Sequence, residues 1–278
     1  MKKIIFTFTI LITSQIIKAQ THSCCSAPDQ FAALGNDPAF VMQHDNPIPF
    51  EFIAEHGSMI TYPCADGKDA NAFAIRSKSK SNQYLIVVHE FWGLNDYIKQ
   101  VAEKLYEDLG GNLNVIAIDL YDGYVATEQK DAKTFMQGLI PERVNAIMQG
   151  AIDFAGTGAD IATIGWCMGG GYALQTSILA GQTGTACVMY YGFPETDIEK
   201  LKNLNADVLM VWANMDKWIT KEVVDQFKTN METAGKKLVV KEYTADHAFA
   251  NPSNPRFNEE AMADAYAVTL EFLRSKFK

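Results

Sequence analysis

The run Ile161-Ala162-Thr163-Ile164 passes directly into Gly165-Trp166-Cys167-Met168-Gly169-Gly170-Gly171. An apolar, β-branched run that ends in Gly-x-Cys-x-Gly-Gly predicts a strand that breaks sharply into a helix. This is the geometry of a nucleophile elbow, with cysteine where serine is usual. The glycines have a steric role there. The residue at the turn sits in a strained backbone conformation, and neighbours without a Cβ let strand and helix pass close beside it. The amides of the helix then face the sulfur, where they favour a thiolate and a developing oxyanion. The plain alternative is a buried structural cysteine, because a free thiol behaves as a small hydrophobe. A phosphate loop is excluded, since neither Gly-Lys-Ser/Thr nor Gly-x-Gly-x-x-Gly occurs at this turn.

Around the elbow, strand and helix patterns alternate. Met59 to Pro63 and Ala70 to Arg76 flank the hairpin signal Asp66-Gly67-Lys68. Tyr84 to Val88, Asn114 to Ile118, Ile161 to Ile164, Ala186 to Tyr190, Asp207 to Trp212 and Leu238 to Tyr243 read as strands. Between and after them, helices are predicted over Asp96 to Leu109, Thr127 to Leu139, Glu142 to Phe154, Met168 to Leu179, Lys221 to Ala234 and Glu259 to Phe272. Such alternation predicts an α/β fold with a mainly parallel sheet covered on both faces. Ligands of such sheets bind beyond the carboxyl ends of the strands. At 278 residues and 48% hydrophobic content the chain fits one such domain, expected over 57–278 and taken to be monomeric.

The N-terminus reads differently. Lys2 and Lys3, the apolar stretch Ile4 to Ile17, and Ala19 before Gln20 describe a secretory signal over 1–19. The stretch is too short and too interrupted to span a bilayer, so stable membrane insertion is not expected. Cys24 and Cys25 raise lipoprotein anchoring as a lesser alternative to soluble export; Thr21 and His22 stand where a lipobox would be apolar. The destination is therefore periplasmic or extracellular. Residues 20–56, rich in Pro, Asp and Asn, read as an extended arm whose His22, His44 and His56 are solvated. With Cys167 free, Cys24, Cys25, Cys64 and Cys187 leave three possible disulfide pairings. Cys187 is expected as a core thiol, and a link from Cys24 or Cys25 to Cys64 is open.

A cysteine nucleophile needs a base, and the base needs an orienting group. The α/β-hydrolase order is nucleophile, acid, histidine, and His247 is the one histidine downstream of Cys167. Asp216 follows the strand Asp207 to Trp212 and is the candidate acid. Glu90, at the end of Tyr84 to Val88, brings a carboxylate to the same edge, where it would hold a thiol protonated or accept its proton.

These residues together resemble the dienelactone hydrolase family. The resemblance runs from about Met59 to the C-terminus and rests on His89-Glu90-x-Trp92-Gly93-Leu94, Gly165-x-Cys167-x-Gly169-Gly170, the Asp216 loop and His247-x-Phe249. It implies a compact α/β-hydrolase fold without a large lid, a Cys167-Asp216-His247 triad and a Glu90 that governs activation of the cysteine. It also implies an oxyanion hole of the Met168 and Phe91 amides, and cleavage of an activated ester or lactone through a thioester. Relatives that degrade aromatic compounds carry a substrate-binding arginine shortly after the histidine. Asn251 stands in that loop, and none of Arg76, Arg143, Arg256 and Arg274 is assignable to substrate. Substrate-binding residues are therefore unassigned.

Two other function classes fit part of the pattern. A non-catalytic ligand-binding or thiol redox-sensing protein on the same fold would need the cysteine but neither Asp216 nor His247. A thiol peroxidase would need a resolving cysteine, and no Cys-x-x-Cys is present. The net charge of −9 argues against nucleic acid and anionic membranes as partners, leaving a small-molecule ester or lactone. No metal-ligand spacing is found along the chain, so neither metal nor cofactor is expected.

Overall fold

The computed structural model describes residues 27–277; the expected signal segment, His22, Cys24 and Cys25 lie outside the described residues. Eight strands form one sheet: β1 (Gly57–Tyr62), β2 (Ala70–Ile75), β3 (Gln83–Val88), β4 (Asn114–Ile118), β5 (Asp160–Trp166), β6 (Gly184–Tyr190), β7 (Asp207–Ala213) and β8 (Leu238–Tyr243). Their order is β1-β2-β4-β3-β5-β6-β7-β8. β2 runs antiparallel to both neighbours, and β4 through β8 are parallel. The interior strands are mostly apolar, as Leu85 to Val88 illustrate, because helices cover both faces. This is an α/β-hydrolase fold.

Among the helices, α3 (Asp96–Asp108) and α9 (Glu259–Lys276) lie side by side, joined where the Tyr266 hydroxyl donates to Asp108 Oδ2 at 2.8 Å. Packed against the sheet elsewhere are α5 (Pro141–Ala155) and α6 (Met168–Ala180). α6 is buried on nearly every side, which explains why its sequence has no polar face. Starts follow local chemistry: Asn95 Oδ1 accepts from Ile98 N–H to cap α3, and Pro141 opens α5. α4 (Gln129–Gln137), α7 (Ile198–Leu201) and α8 (Lys221–Thr233) complete the helices after β1.

The segment expected as an extended arm holds two helices, α1 (Ala27–Leu34) and α2 (Pro38–Val41). Asp37 caps α2 by accepting from Ala39 N–H at 2.9 Å, and Pro38 supplies the first helical φ. Phe31 and Phe40 are buried in the common core, so this segment belongs to the domain rather than to solvent. His44 is a correction of the same kind: it is 1% exposed, not solvated. His56 does face solvent and meets Glu107 at 3.3 Å. Cys187 is buried as expected, and burial pushes its thiol up to about 11.

Candidate active site

Cys167 joins β5 to α6 with φ 53° and ψ −124°, the left-handed strain an elbow requires. The glycines make it possible. A Cβ on Gly165 would lie 2.1 Å from the Gly169 carbonyl oxygen, and one on Gly169 would lie 2.3 Å from the His89 carbonyl oxygen. No side chain fits either place, so strand β3, strand β5 and helix α6 meet backbone to backbone beneath the sulfur. The Met168 N–H favours the charged form of that sulfur.

Beyond β7, the chain turns through Asn214 and Met215 to Asp216. Its Oδ1 accepts from the Trp218 and Ile219 amides at 2.8 and 3.1 Å, leaving Oδ2 to the histidine. Beyond β8, the loop delivers His247. Its Nδ1 lies 2.6 Å from Asp216 Oδ2, and Nε2 lies 3.3 Å from Cys167 Sγ. A carboxylate can only accept, so Nδ1 carries a proton and Nε2 faces the sulfur. All three side chains are buried.

Burial favours a protonated carboxyl at Asp216, but the His247 contact and the two amides outweigh it and hold Asp216 below the usual range. At His247 burial opposes charge, while the Asp216 and Cys167 charges override it and raise the imidazole well above its ordinary value. Burial pushes the Cys167 thiol up and the Glu90 charge adds to this, with His247 pulling the other way. In this coupled pair, Asp216 thus favours a proton on His247, and burial disfavours a thiolate without its imidazolium.

Glu90 stands at the end of β3, buried, and burial raises its carboxyl to about 7 against the pull of His247 and Asn251. The Asn251 side-chain amide donates to Glu90 Oε1, while Oε2 has no hydrogen-bond partner among the described residues. Asn251 is itself held, its Oδ1 accepting from Ser253 N–H and Oγ. The loop after β8 therefore supplies both the histidine and the residue that fixes Glu90. Phe91 is buried beside it, its ring 4.6 Å from that of His44. His89 is a structural neighbour. Its Nδ1 donates to the Glu90 carbonyl at 2.8 Å and its Nε2 accepts from Leu120 N–H at 3.0 Å, tying β3 to β4.

The α1–α2 segment closes over these groups. The Phe40 ring lies 5.7 Å from His247, 5.2 Å from Trp218 and 6.2 Å from Phe91. His44 Nε2 comes within 4.0 Å of Cys167 Sγ, and its Nδ1 donates to the Phe40 carbonyl at 2.9 Å. Burial, with the His247 charge, lowers the His44 imidazole to about 3, so it is neutral. The segment is pinned where Trp218 Nε1 donates to Asp37 and where Asn254 and Arg256 donate to the Gln43 carbonyl. His44, Phe40 and Asn251 had no assigned part in the sequence. The Asp37-Pro38 pair was the available signal for a helix start, but nothing along the chain shows what that helix covers.

Three of the four arginines are committed elsewhere. Arg143 pairs with Asp66 and Asp122, Arg256 binds the Gln43 carbonyl, and Arg274 binds the Asp108 carbonyl. A cavity of about 490 Å³ opens between α3 and α9, lined by Tyr97, Val101, Trp166, Tyr191 and Met262 among others. Neither Cys167 nor His247 lines it. Glu90 is common to cavity and cysteine, lining the one and acting electrostatically on the other.

The family model for dienelactone hydrolases matches residues 70–277, a span that contains Glu90, Cys167, Asp216 and His247. The chain belongs to the dienelactone hydrolase family. With the family comes the class, a hydrolase acting on esters or lactones. Protein usf of Aquifex pyrophilus is 24% identical over 200 residues, covering 68% of this chain and 87% of that protein. The carboxymethylenebutenolidase of Pseudomonas sp. (strain P51) is 34% identical over 115 residues, covering 41% of this chain and 47% of the enzyme. Among solved structures, the dienelactone hydrolase-like promiscuous phosphotriesterase P91 from metagenomic libraries superposes with a TM-score of 0.68 at 21% identity, over 80% of this chain and 99% of that one. That likeness bears on the fold.

Proposed function

We propose that this dienelactone hydrolase family member cleaves activated esters or lactones through a covalent thioester on Cys167, with His247 as base and Asp216 as its orienting group. The observation that carries the reading is the continuous contact from Asp216 Oδ2 through the His247 ring to Cys167 Sγ on a strained elbow. His247 takes the thiol proton as Sγ attacks the carbonyl carbon. The carbonyl oxygen gains negative charge and is held by the Met168 and Phe91 amides. Collapse breaks the bond to the leaving oxygen, which takes a proton from His247. Water, deprotonated by the same histidine, then attacks the thioester and frees Cys167. A thiolate is itself a good leaving group, so the route favours substrates whose own leaving group is stabilised, such as enol lactones.

Glu90 adds a control. A carboxyl that titrates near neutrality beside the thiol takes part in deciding where the thiol proton rests. The cavity beside Glu90 has the size and apolar lining to hold the bulk of a small substrate. A redox-sensing role is less well supported, because sensor thiols are accessible and Cys167 is buried. The leader-like residues 1–19 extend the proposal to an enzyme that acts outside the cytoplasm.

The test is hydrolysis of a dienelactone and of an aryl acetate by the purified chain. Turnover should fall by about a thousandfold or more in Cys167→Ala, whose fold is checked by circular dichroism. Wild-type rates in that variant would end the cysteine mechanism.

A further inference from the structure

Three donor atoms with the character of metal ligands converge where the α1–α2 segment meets the elbow. They are Cys167 Sγ, His247 Nε2 and His44 Nε2, all buried and all within 4.8 Å of one another. They come from positions 44, 167 and 247, so no ligand spacing along the chain shows them. We propose that His44, Cys167 and His247 form a binding site for a zinc-type divalent ion that masks the nucleophile. The proposal concerns the site of the hydrolase reading; it rests on that reading for its consequence and on geometry for its existence.

Zinc in tetrahedral coordination sits about 2.3 Å from sulfur and about 2.0 Å from imidazole nitrogen, which separates sulfur from nitrogen by about 3.6 Å. Cys167 Sγ lies 3.3 Å from His247 Nε2 and 4.0 Å from His44 Nε2, straddling that separation. Movements of a few tenths of an ångström bring both sulfur–nitrogen separations to tetrahedral edges, and the two nitrogens already lie within 4.8 Å of each other. Both rings are prepared for it. His247 donates its Nδ1–H to Asp216 and His44 donates its own to the Phe40 carbonyl, so Nε2 is the nitrogen each ring turns toward the sulfur, free to ligate once the proton shared by Cys167 and His247 has left. Ligating histidines characteristically have such outer partners, a carboxylate or a backbone carbonyl, which fix the tautomer. Sulfur with two imidazoles is a soft donor set suited to zinc rather than magnesium or calcium. The fourth position would be left to water.

Loading is chemically balanced. Whether it rests as thiol–imidazole or thiolate–imidazolium, the Cys167–His247 pair holds one proton between Sγ and Nε2. That proton leaves to solvent as the metal bonds form. The bound sulfur lone pair is then unavailable for attack, so ion and hydrolysis exclude each other. The second cluster of donors, Glu55, His56 and Glu107, is exposed and has no comparable shell.

The experiment uses the full chain with Cys24→Ser and Cys25→Ser, which removes the terminal thiols. It is stripped with chelator under reducing conditions and titrated with Co2+ as spectroscopic probe and Zn2+ by competition with a chromophoric chelator. One Co2+ per chain is expected, with the intense thiolate-to-cobalt absorption of a tetrahedral site. Cys167→Ser should abolish that band, and His44→Ala should weaken Zn2+ by about tenfold or more. His44→Phe keeps a ring between Phe40 and Phe91 without a donor, and should weaken the ion equally. Failure to bind, a band that survives Cys167→Ser, or wild-type affinity in both His44 variants would overturn the site. Aryl acetate hydrolysis by the zinc-free chain is read separately. Ion binding without turnover would overturn the hydrolase reading and keep the site; turnover without ion binding would do the reverse.

Discussion

Glu90 is the residue at which stability and chemistry pull apart. Folding carries its carboxyl from an ordinary value of 4.5 to about 7, because burial disfavours the charge more than Asn251 and His247 favour it. Between those two values the unfolded chain is ionised at this position and the folded chain is not. The folded state therefore binds more protons, and the unfolding free energy falls as pH rises. Across the window the loss is about 3 kcal/mol, absent below pH 4.5 and complete above 7. Glu90→Gln stays neutral in both states and should remove this slope. Urea unfolding of both proteins from pH 4.5 to 8 measures it: the curves should converge at the acid end and diverge toward neutrality in favour of the variant. Parallel curves would mean that Glu90 is charged in the folded site. A residue that destabilises its own fold at neutral pH is the pattern expected where a titratable group is kept for chemistry.

At the scale of elements, the decisive piece is α2, four residues long. Its Phe40 is fully buried against rings from three distant parts of the chain, Phe91, Trp218 and His247. Cutting Phe to Ala in such a place costs about 3–5 kcal/mol, and here the cost falls on the hold of the segment over the sulfur. Cys167 is 0% exposed, so a thiol reagent reaches it when the segment opens. Phe40→Ala should raise the rate of Cys167 alkylation by iodoacetamide by about a hundredfold. Equal rates would show that the α1–α2 segment does not gate the site.

The same element marks the limit of what sequence patterns disclose. β4 and β8 lie at the residues their apolar runs predict, and the other strands and long helices differ at their ends by a few residues. These elements announce themselves because one face or both must be apolar over a turn or more. Cys167, Asp216 and His247 were legible because the fold fixes which strand ends meet. α2 and α7 are too short to carry a period. His44 is polar, lies in a polar stretch, and is buried by residues 47 to more than 200 positions away. Asn251 was visible as a departure from the pattern of relatives, but its bond to Glu90 spans 161 positions.

At the scale of the whole molecule, the parallel sheet sets four loop ends along one edge, and the helices beside it set what those loops face. Glu90 follows β3, Cys167 follows β5, Asp216 follows β7 and His247 follows β8. α3 and α9, joined at Asp108 and Tyr266, leave the cavity between them, and Glu90 at the end of that row lines it. The proposed chemistry needs a carbonyl at Cys167, while the space for substrate bulk lies on the Glu90 side. Size discrimination should therefore be set by α3 and α9, which carry none of Cys167, Asp216 and His247. Val101 lines the cavity from α3 and is only partly buried, so Val101→Trp can fill the space without disturbing the sheet. For an aryl ester or lactone large enough to need the cavity, KM should rise about tenfold or more, consistent with the free energy of filling an apolar pocket. For a small acetate ester, kcat/KM should change by less than about threefold, since none of the reacting groups has moved. The ratio of the two substrates is the quantity to measure. An equal loss on both would mean that the variant disturbs the site itself, and no loss on either would place the substrate on the α1–α2 side of Cys167.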